Sequence, residues 1–179
     1  MSMEISILRL GHRLPRDERI TTHVGLVARA FGAGEIIYAG QHDSSFEESV
    51  KKINENWGGK FEAKYAKNPL KLANEYKKNG FAIVHLTMYG LPLPEKLDEM
   101  RKSGKILVIV GAEQVPREFY EIADFNISIT SQPHSEVAAL AITLDRLMEA
   151  KELGREFSER FKGKIGVEPS GKGKKVRKL

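Results

Sequence analysis

The sequence predicts an α/β protein in which helices cover both faces of a mostly parallel sheet. Segments typical of strands alternate with segments of helical periodicity along most of the 179 residues, and this alternation indicates consecutive βαβ units. Two strand segments, Phe81–Leu86 and Lys105–Val110, are almost continuous apolar runs. Strands of that composition are covered on both faces, so the sheet is expected to form the middle of three layers.

The first half of the chain is predicted to contain three strands and three helices. The strands are expected at Glu4–Leu10, Glu35–Gly40 and Phe61–Ala66. The helices, each with apolar residues at helical spacing and a glycine at its end, are expected at Thr22–Gly32, Ser44–Gly59 and Asn68–Gly80. Ser44 and Glu47 have capping-box spacing at the start of the second helix. Asn68 and Pro69 are typical of the N-cap and first position of the third.

The second half continues the alternation. Strands are expected at Phe81–Thr87, Lys105–Gly111 and Phe125–Thr130. Helices are expected at Pro94–Ser103, Pro116–Ala123 and Val137–Ala150. No low-complexity linker or internal repeat interrupts the series, so residues 1–161 are expected to form one domain.

Basic residues are concentrated in residues 162–179, which form an appendage to that domain. The whole chain has a net charge of +5, whereas this segment alone carries seven basic residues and one acidic residue, and the rest of the chain therefore sums to −1. A basic end favours contact with nucleic acid, although a solvated, disordered end is the alternative. A turn-forming stretch, Pro169–Gly173, between two alternating segments favours a β-hairpin. The basic residues expected to contact RNA are Lys172, Lys174, Lys175, Arg177 and Lys178.

The composition argues against several kinds of protein. The chain has no cysteine, which excludes disulfides, thiolate nucleophiles and thiolate metal sites. No apolar run approaches 18 residues and no basic signal-peptide region is present, so we expect a cytoplasmic protein with no membrane segment. Histidines and carboxylates are too scattered to predict a metal site, and neither a dinucleotide fingerprint nor a P-loop occurs.

Three loops follow successive strands of the second half and are rich in glycine, proline and small polar residues. They cover residues 86–94, 111–116 and 129–136. In a parallel sheet such loops meet at the edge where the strands end, and this edge is where ligands bind, so the three loops are predicted to build one pocket. The alternative is that each is a plain connection, with Pro133 in the first turn of the long helix and Glu136 exposed near its N-terminus.

A serine hydrolase is a further interpretation of the third loop, where Ser131, His134, Ser135 and Glu136 lie close together. Neither serine is flanked by the glycines of a nucleophile elbow. The members of a catalytic triad approach from separate segments, and these residues come from one. We therefore do not expect hydrolysis.

A second dense segment, residues 8–23, follows the first strand. It contains Arg9, Arg13, Arg16 and Arg19, with His12 and His23 beside them. Guanidinium groups match phosphate in shape and charge, which favours contact with a phosphate or RNA. The alternative is a solvated loop in which the arginines pair with Asp17 and Glu18.

Four segments, taken in order, resemble a known family. They are residues 8–33, 85–90, 108–126 and 131–147. Together they are similar to the archaeal tRNA (cytidine-56 2′-O) methyltransferases of the SPOUT superfamily. The resemblance spans residues 4 to about 150, and the basic C-terminal hairpin also fits it. Residues 1–161 are therefore interpreted as a SPOUT methyltransferase domain.

The resemblance implies a trefoil knot in the C-terminal part of the sheet, a homodimer, tRNA as the substrate and S-adenosylmethionine as the cofactor. It also implies that the knot loops bind this cofactor. By position these residues are Leu86, Gly111, Ala112, Glu113, Gln114, Val115, Ile129, Thr130, Ser131, Gln132, Pro133, His134, Ser135 and Glu136. Gly111 permits close backbone approach, and apolar side chains such as Leu86 and Ile129 suit an adenine ring.

The catalytic residue departs from the family pattern. Relatives that methylate ribose often carry an arginine near the position that Leu26 occupies here. We therefore expect Arg19 to serve the ribose, with Arg13, Arg16 and His23 as further candidates. A guanidinium is essentially always protonated, so the expected role is to position or polarise the ribose.

Two other functions stay open. One is a SPOUT methyltransferase that modifies another RNA position or a base atom. The other is an RNA-binding module that has kept the fold without catalysis, and this module would lack affinity for S-adenosylmethionine.

Overall fold

The computed structural model describes residues 3–111 and 114–178, and its centre is a six-stranded sheet whose neighbouring strands are all parallel. In chain order the strands are β1 (Glu4–His12), β2 (Glu35–Gly40), β3 (Glu62–Tyr65), β4 (Ala82–Pro92), β5 (Lys105–Val110) and β6 (Phe125–Ser128). They lie across the sheet in the order β3-β2-β1-β5-β4-β6. The predicted α/β class and parallel sheet are confirmed.

Helices connect the strands and cover the sheet. The described helices are α1 (Glu18–Ala30), α2 (Ser44–Trp57), α3 (Pro69–Lys78), α4 (Leu93–Lys102), α5 (Arg117–Ile122), α6 (Glu136–Met148) and α7 (Arg155–Glu159). None of the helices in the described parts of the chain is long and apolar enough to cross a bilayer.

The sheet has a hydrophobic core on each face, as the apolar strands predict. Neighbouring residues of β1 show this: Ile7 and Leu8 are both 0% exposed, yet they belong to different clusters. Ile7 packs in a cluster with residues of α1, α2, α4 and α6, whereas Leu8 packs in a cluster with residues of α3 and α5. Successive side chains of a strand point to opposite faces, so a strand apolar at both positions is covered twice.

One predicted helix cap is wrong. α2 begins at Ser44 itself, and its N-cap is Asp43, whose carboxylate accepts hydrogen bonds from the backbone N–H groups of Ser45 and Phe46. A carboxylate at that position satisfies two otherwise unpaired donors and also favours the positive end of the helix dipole. The predicted cap of α3 is confirmed, because Asn68 accepts from the N–H of Lys71.

β4 extends beyond the predicted segment and contacts β6 twice. Leu86 and Leu91 both have Ile127 as their partner in β6, and the residues between them bulge out of the ladder. Gly90, in this bulge, lies directly against the backbone of β6: a Cβ added to it would be 2.5 Å from backbone atoms of Asn126 and Ile127. The backbone at Gly90 therefore lies against β6 with no space for a side chain.

The C-terminal appendage contains a short antiparallel pair, β7 (Ile165–Val167) with β8 (Val176–Lys178). The segment leading into it is held against the body of the domain. The carbonyl oxygen of Phe161 accepts a hydrogen bond from the N–H of Gly59, and the Arg29 guanidinium lies 4.7 Å from the centroid of the Phe161 ring. The hairpin interpretation of the sequence thus agrees with the structure.

Candidate functional site

A cavity of about 580 Å³ lies at the C-terminal ends of β1, β4, β5 and β6, where the predicted loops meet. Its size is within the ordinary range for small-molecule sites. The described residues that line it are Arg9, Arg13, Arg16, Asp17, Ile20, His85, Leu86, Thr87, Met88, Tyr89, Val110, Gly111, Val115, Tyr120, Ile127, Ile129, Pro133, His134, Ser135, Glu136 and Ala139. Strand-end residues from four strands thus contribute to one site.

One part of the cavity lining is apolar. Leu86, Val115, Ile127 and Ile129 come from three different strand ends or the loops after them. Gly111 is needed for this arrangement, because a Cβ at that position would be 2.1 Å from the Cγ2 atom of Val115. Such a surface suits a flat, weakly polar ring, while irregular backbone nearby offers hydrogen-bonding groups.

Another part of the lining contains a buried ion pair. Arg9, at the end of β1, is only 1% exposed, and its Nη2 atom lies 3.1 Å from Oε1 of Glu136, the first residue of α6. The Nη1 atom of Arg9 also donates to the carbonyl oxygen of Leu10. Within residues 3–111 and 114–178, neither Nε of Arg9 nor Oε2 of Glu136 has a hydrogen-bond partner. A buried polar atom without a partner is costly, so both atoms are available to a ligand.

Burial dominates the electrostatics of this pair. It raises the pKa of Glu136, and the nearby Arg9 only partly offsets this effect. Burial also lowers the pKa of Arg9, against the opposing attraction of Glu136. Both shifts follow from the cost of holding a charge away from water.

His85, in β4, is a second buried polar group of the lining. It is 0% exposed, and its Nδ1 lies 2.9 Å from Oδ1 of Asn126. The amide nitrogen of Asn126 donates to the carbonyl oxygen of Tyr120, so its oxygen faces the histidine and Nδ1 must carry the proton. Burial lowers the pKa of His85. The ring is therefore held neutral, and Nε2 is an acceptor.

The arginine-rich segment divides into two parts. Arg13 and Arg16 line the cavity, and the Nε atom of Arg13 donates to Oδ2 of the buried Asp17 at 2.9 Å. Burial raises the pKa of Asp17, but the hydrogen bond and charge of Arg13 outweigh it, and the pKa is lowered overall. Arg19 and His23 are exposed residues of α1 and are not part of the described cavity lining.

The predicted cofactor residues also divide. Those in the cavity lining are Leu86, Gly111, Val115, Ile129, Pro133, His134, Ser135 and Glu136. Gln114, Thr130, Ser131 and Gln132 are exposed and lie outside that lining, and Ala112 and Glu113 lie outside the described residues. The predicted RNA-binding residues of the C-terminal appendage are all exposed.

Sequence reasoning missed the role of Arg9 and His85 in the lining. Arg9 appeared only as one member of a basic segment, although it stands in an otherwise apolar strand. A charged residue inside such a run is the one available signal, because an arginine is almost never fully buried unless it is paired. Nothing in the sequence identifies its partner, Glu136.

The chain matches the model of a protein family described as tRNA ribose 2′-O-methyltransferase, aTrm56, over residues 57–177. Relatives named tRNA (cytidine(56)-2′-O)-methyltransferase are similar over almost the whole length. The protein from Archaeoglobus fulgidus is 54% identical over 97% of this chain and 98% of the relative. The protein from Methanopyrus kandleri is 51% identical over 97% and 96%, and that from Thermococcus kodakarensis is 48% identical over 100% and 99%.

Solved structures share the fold at low sequence identity. A TrmH/SpoU tRNA modifying enzyme from A. aeolicus aligns with a TM-score of 0.65 and 19% identity, covering 90% of this chain and 81% of that one. The SpoU methyltransferase AviRb from Streptomyces viridochromogenes, in complex with AdoMet, aligns with a TM-score of 0.59 and 17% identity. That alignment covers 84% of this chain and 59% of the longer AviRb chain.

Proposed function

This chain belongs to the tRNA ribose 2′-O-methyltransferase family, and we propose that it transfers a methyl group from S-adenosylmethionine to the 2′-hydroxyl of cytidine 56 in tRNA. The observation that carries this conclusion is the 48–54% identity, over nearly the full length of both chains, to relatives named for that reaction. A tRNA substrate also supports a cytoplasmic location.

The cavity at the strand ends fits the cofactor. It combines an apolar wall for the adenine ring, formed by Leu86, Val115 and Ile129, with polar groups that have no partner within the described chain. Gly111 keeps the backbone accessible beside that wall. When bound, S-adenosylmethionine supplies a methyl group on a positively charged sulfur. The protein must hold the ribose oxygen in line with that methyl group and manage the proton of the hydroxyl.

The arginines of the β1–α1 segment are proposed to hold the RNA. Arg13 and Arg16 line the cavity, Arg13 half-buried and Arg16 exposed, so both can contact a phosphate next to the target nucleotide. Arg19 is proposed to position the ribose, with His23 beside it on the same exposed surface of α1. The guanidinium groups of Arg13, Arg16 and Arg19 are essentially always protonated, so the contribution of these arginines is to orient the substrate.

A homodimer is proposed because Arg19 does not line the cavity of its own chain. Two exposed apolar residues, Leu26 on α1 and Ile142 on α6, are each 42% exposed, and the two helices that carry them contact each other. An apolar surface shared by both copies is typical of a two-fold interface. In such a dimer, Arg19 of one copy would serve the cavity of the other.

The trefoil knot is also proposed. β4 contacts Ile127 of β6 twice, and the Gly90 backbone between these contacts lies directly against β6. Both features support a chain that is threaded through a loop in this region. Knots are rare exceptions to ordinary connections. An experimental chain trace in which β6 and α6 pass outside the preceding loops would contradict this proposal.

The reaction is tested with two tRNA transcripts that differ at one atom. The wild-type protein should transfer a labelled methyl group to a transcript that has cytidine at position 56 and none to the transcript with 2′-deoxycytidine there. Digestion and mass mapping should place the methyl group on that nucleotide. Transfer to the deoxy transcript would overturn ribose methylation. Binding of tRNA without any transfer and without affinity for S-adenosylmethionine would favour the RNA-binding alternative.

The C-terminal appendage, residues 162–179, is proposed to bind the tRNA backbone. A variant with glutamine at the five exposed basic positions should bind tRNA more weakly and with a smaller salt dependence, because each lost phosphate contact lowers the slope of log K against log salt by about 0.7 to 0.9. The affected residues are Lys172, Lys174, Lys175, Arg177 and Lys178. Filter binding over a series of salt concentrations measures this slope.

The control variant also loses five positive charges, but at exposed positions outside the appendage. It replaces Lys51, Lys52, Lys67, Lys78 and Lys102 with glutamine. The control should keep a steeper slope than the variant of the appendage. Equal slopes for the two variants would mean that the appendage has no special contact with RNA.

A further inference from the structure

We propose that Glu136 is the general base that accepts the proton of the ribose 2′-hydroxyl, and that Arg9 is the residue that positions it. This inference rests on the proposed function, since it concerns the same cavity and the same reaction. It adds a proton acceptor to a site whose arginines can only orient the substrate.

Two residues of the described cavity lining carry a carboxylate, Asp17 and Glu136. Asp17 is committed elsewhere: its Oδ2 accepts from Arg13 at 2.9 Å, and its pKa is lowered, so it holds protons weakly. Glu136 uses only Oε1, in the pair with Arg9, and its buried Oε2 has no partner in the described chain. Of the two carboxylates, Glu136 therefore has the oxygen that can accept a proton from a substrate.

The environment of Glu136 matches that task. Burial raises its pKa above the ordinary value of a glutamate, and a base is most effective when its pKa approaches the working pH. Arg9 opposes the rise, because its positive charge favours the ionised carboxylate. Since 21% of the Glu136 side chain is exposed, the accepted proton can pass to water after the reaction.

Other titratable or charged groups face the same cavity. They are Arg9 of β1, Arg13, Arg16 and Asp17 of the segment after it, His85 and Tyr89 of β4, Tyr120 of α5, and His134 before α6. His85 is the main competitor, because its Nε2 is also without a partner in the described chain. Burial lowers its pKa, which makes the neutral ring a weak proton acceptor.

The step is balanced within the site. The O–H bond of the 2′-hydroxyl breaks, and its proton moves to Oε2 of Glu136. The oxygen forms a bond to the methyl carbon with the released electron pair, while the carbon–sulfur bond breaks and its electron pair stays on sulfur. Arg9 holds Oε1 throughout, so the carboxyl group does not rotate away from the substrate.

The direct test replaces the carboxylate of Glu136 with an amide. Glu136→Gln keeps the size and the hydrogen bond to Arg9 but removes basicity. In single-turnover assays with saturating cofactor and tRNA, we expect the methyl-transfer rate to fall by about 100-fold or more. Affinities for S-adenosylmethionine and tRNA, measured by calorimetry, should stay close to wild type. The control Glu48→Gln, at an exposed position of α2, should keep the wild-type rate.

The pH profile separates a base from a structural residue. The wild-type rate should rise with pH as Glu136 loses its proton and then level off, and the rise should lie above the ordinary range of a glutamate because the pKa is raised. Arg9→Gln should move this rise to higher pH, because loss of the neighbouring positive charge makes the carboxylate hold its proton more tightly. Glu136→Asp should be slower but should keep the rise.

Each outcome supports or overturns the assignment of Glu136 as the general base. A Gln variant with a rate near wild type, one that keeps the rise with pH, or one whose loss comes entirely from weaker cofactor binding overturns the inference. If the Gln variant does not fold, the wild-type and Asp profiles decide, and absence of the rise in both overturns it. Wild-type protein without activity on cytidine 56 overturns the proposed function instead, which keeps the two failures distinct.

Discussion

Gly90→Ala is expected to destabilise the folded chain by about 3 kcal/mol, at the upper end of the usual cost of overpacking. The added Cβ would lie 2.5 Å from backbone atoms of Asn126 and Ile127, and backbone cannot turn aside as a side chain can. The backbones of β4 and β6 would have to separate at Gly90. Chemical denaturation monitored by circular dichroism measures the change in the free energy of unfolding.

The matched control is Gly34→Ala. Its added Cβ would lie 3.9 Å from the carbonyl oxygen of Ile5, an ordinary contact, so its stability should remain near wild type. Because Thr87 to Tyr89 line the cavity just before Gly90, the Gly90 variant should also bind S-adenosylmethionine more weakly. Equal stability of the two variants would show that the contact between Gly90 and β6 is looser than the structure has it.

Arg19→Ala is expected to lower the rate of methyl transfer by about 100-fold while affinity for S-adenosylmethionine is unchanged, because the proposed role concerns the position of the ribose. Arg19 is exposed and lies outside the cavity lining of its own chain, so its removal should leave the folded domain intact. Single-turnover rates and cofactor calorimetry measure the two quantities. A wild-type rate would move the role to Arg13, Arg16 or His23.

Subunit exchange tests which copy supplies Arg19. When the inactive Arg19→Ala and Glu136→Gln proteins are mixed and allowed to exchange, a mixed dimer has one complete site if the two residues act across the interface. Activity should then recover to about one quarter of wild type, since half of the dimers are mixed and each has one intact site. Mixtures that stay inactive after confirmed exchange would place both residues in the same chain's site.

Local patterns predicted the elements well. Glu35–Gly40 forms β2 with the predicted bounds, and the apolar runs around Phe81–Leu86 and Lys105–Val110 form interior strands of the sheet, each with a neighbour on both sides. Strand periodicity and helix caps are set by nearby residues, so they can be read from a short window. The capping-box prediction failed because Asp43, one residue earlier, is the N-cap and accepts from the N–H groups of Ser45 and Phe46.

The site was predicted less completely. The loops after β5 and β6 do meet in one cavity, since parallel strands end at the same edge of the sheet. The first predicted loop contributes Leu86 to Tyr89, but these residues belong to β4, which continues to Pro92. The segment around Arg9 was correctly associated with this edge, but its arginines were treated as one group. The structure separates them: Arg9 is buried against Glu136, Arg13 is paired with Asp17, and Arg19 is exposed on α1.

The sequence by itself determined the alternation of strands and helices, the edge of the sheet where the cavity lies and the basic character of the C-terminal end, because these depend on local periodicity, parallel order and charge. Only the tertiary structure decided which arginine is buried, which carboxylate oxygen has no partner among the described residues, and where the Gly90 backbone lies directly against β6. Those features depend on contacts between residues that are far apart in the chain. Burial and pairing across such distances follow from the packing of the whole fold and leave no local pattern.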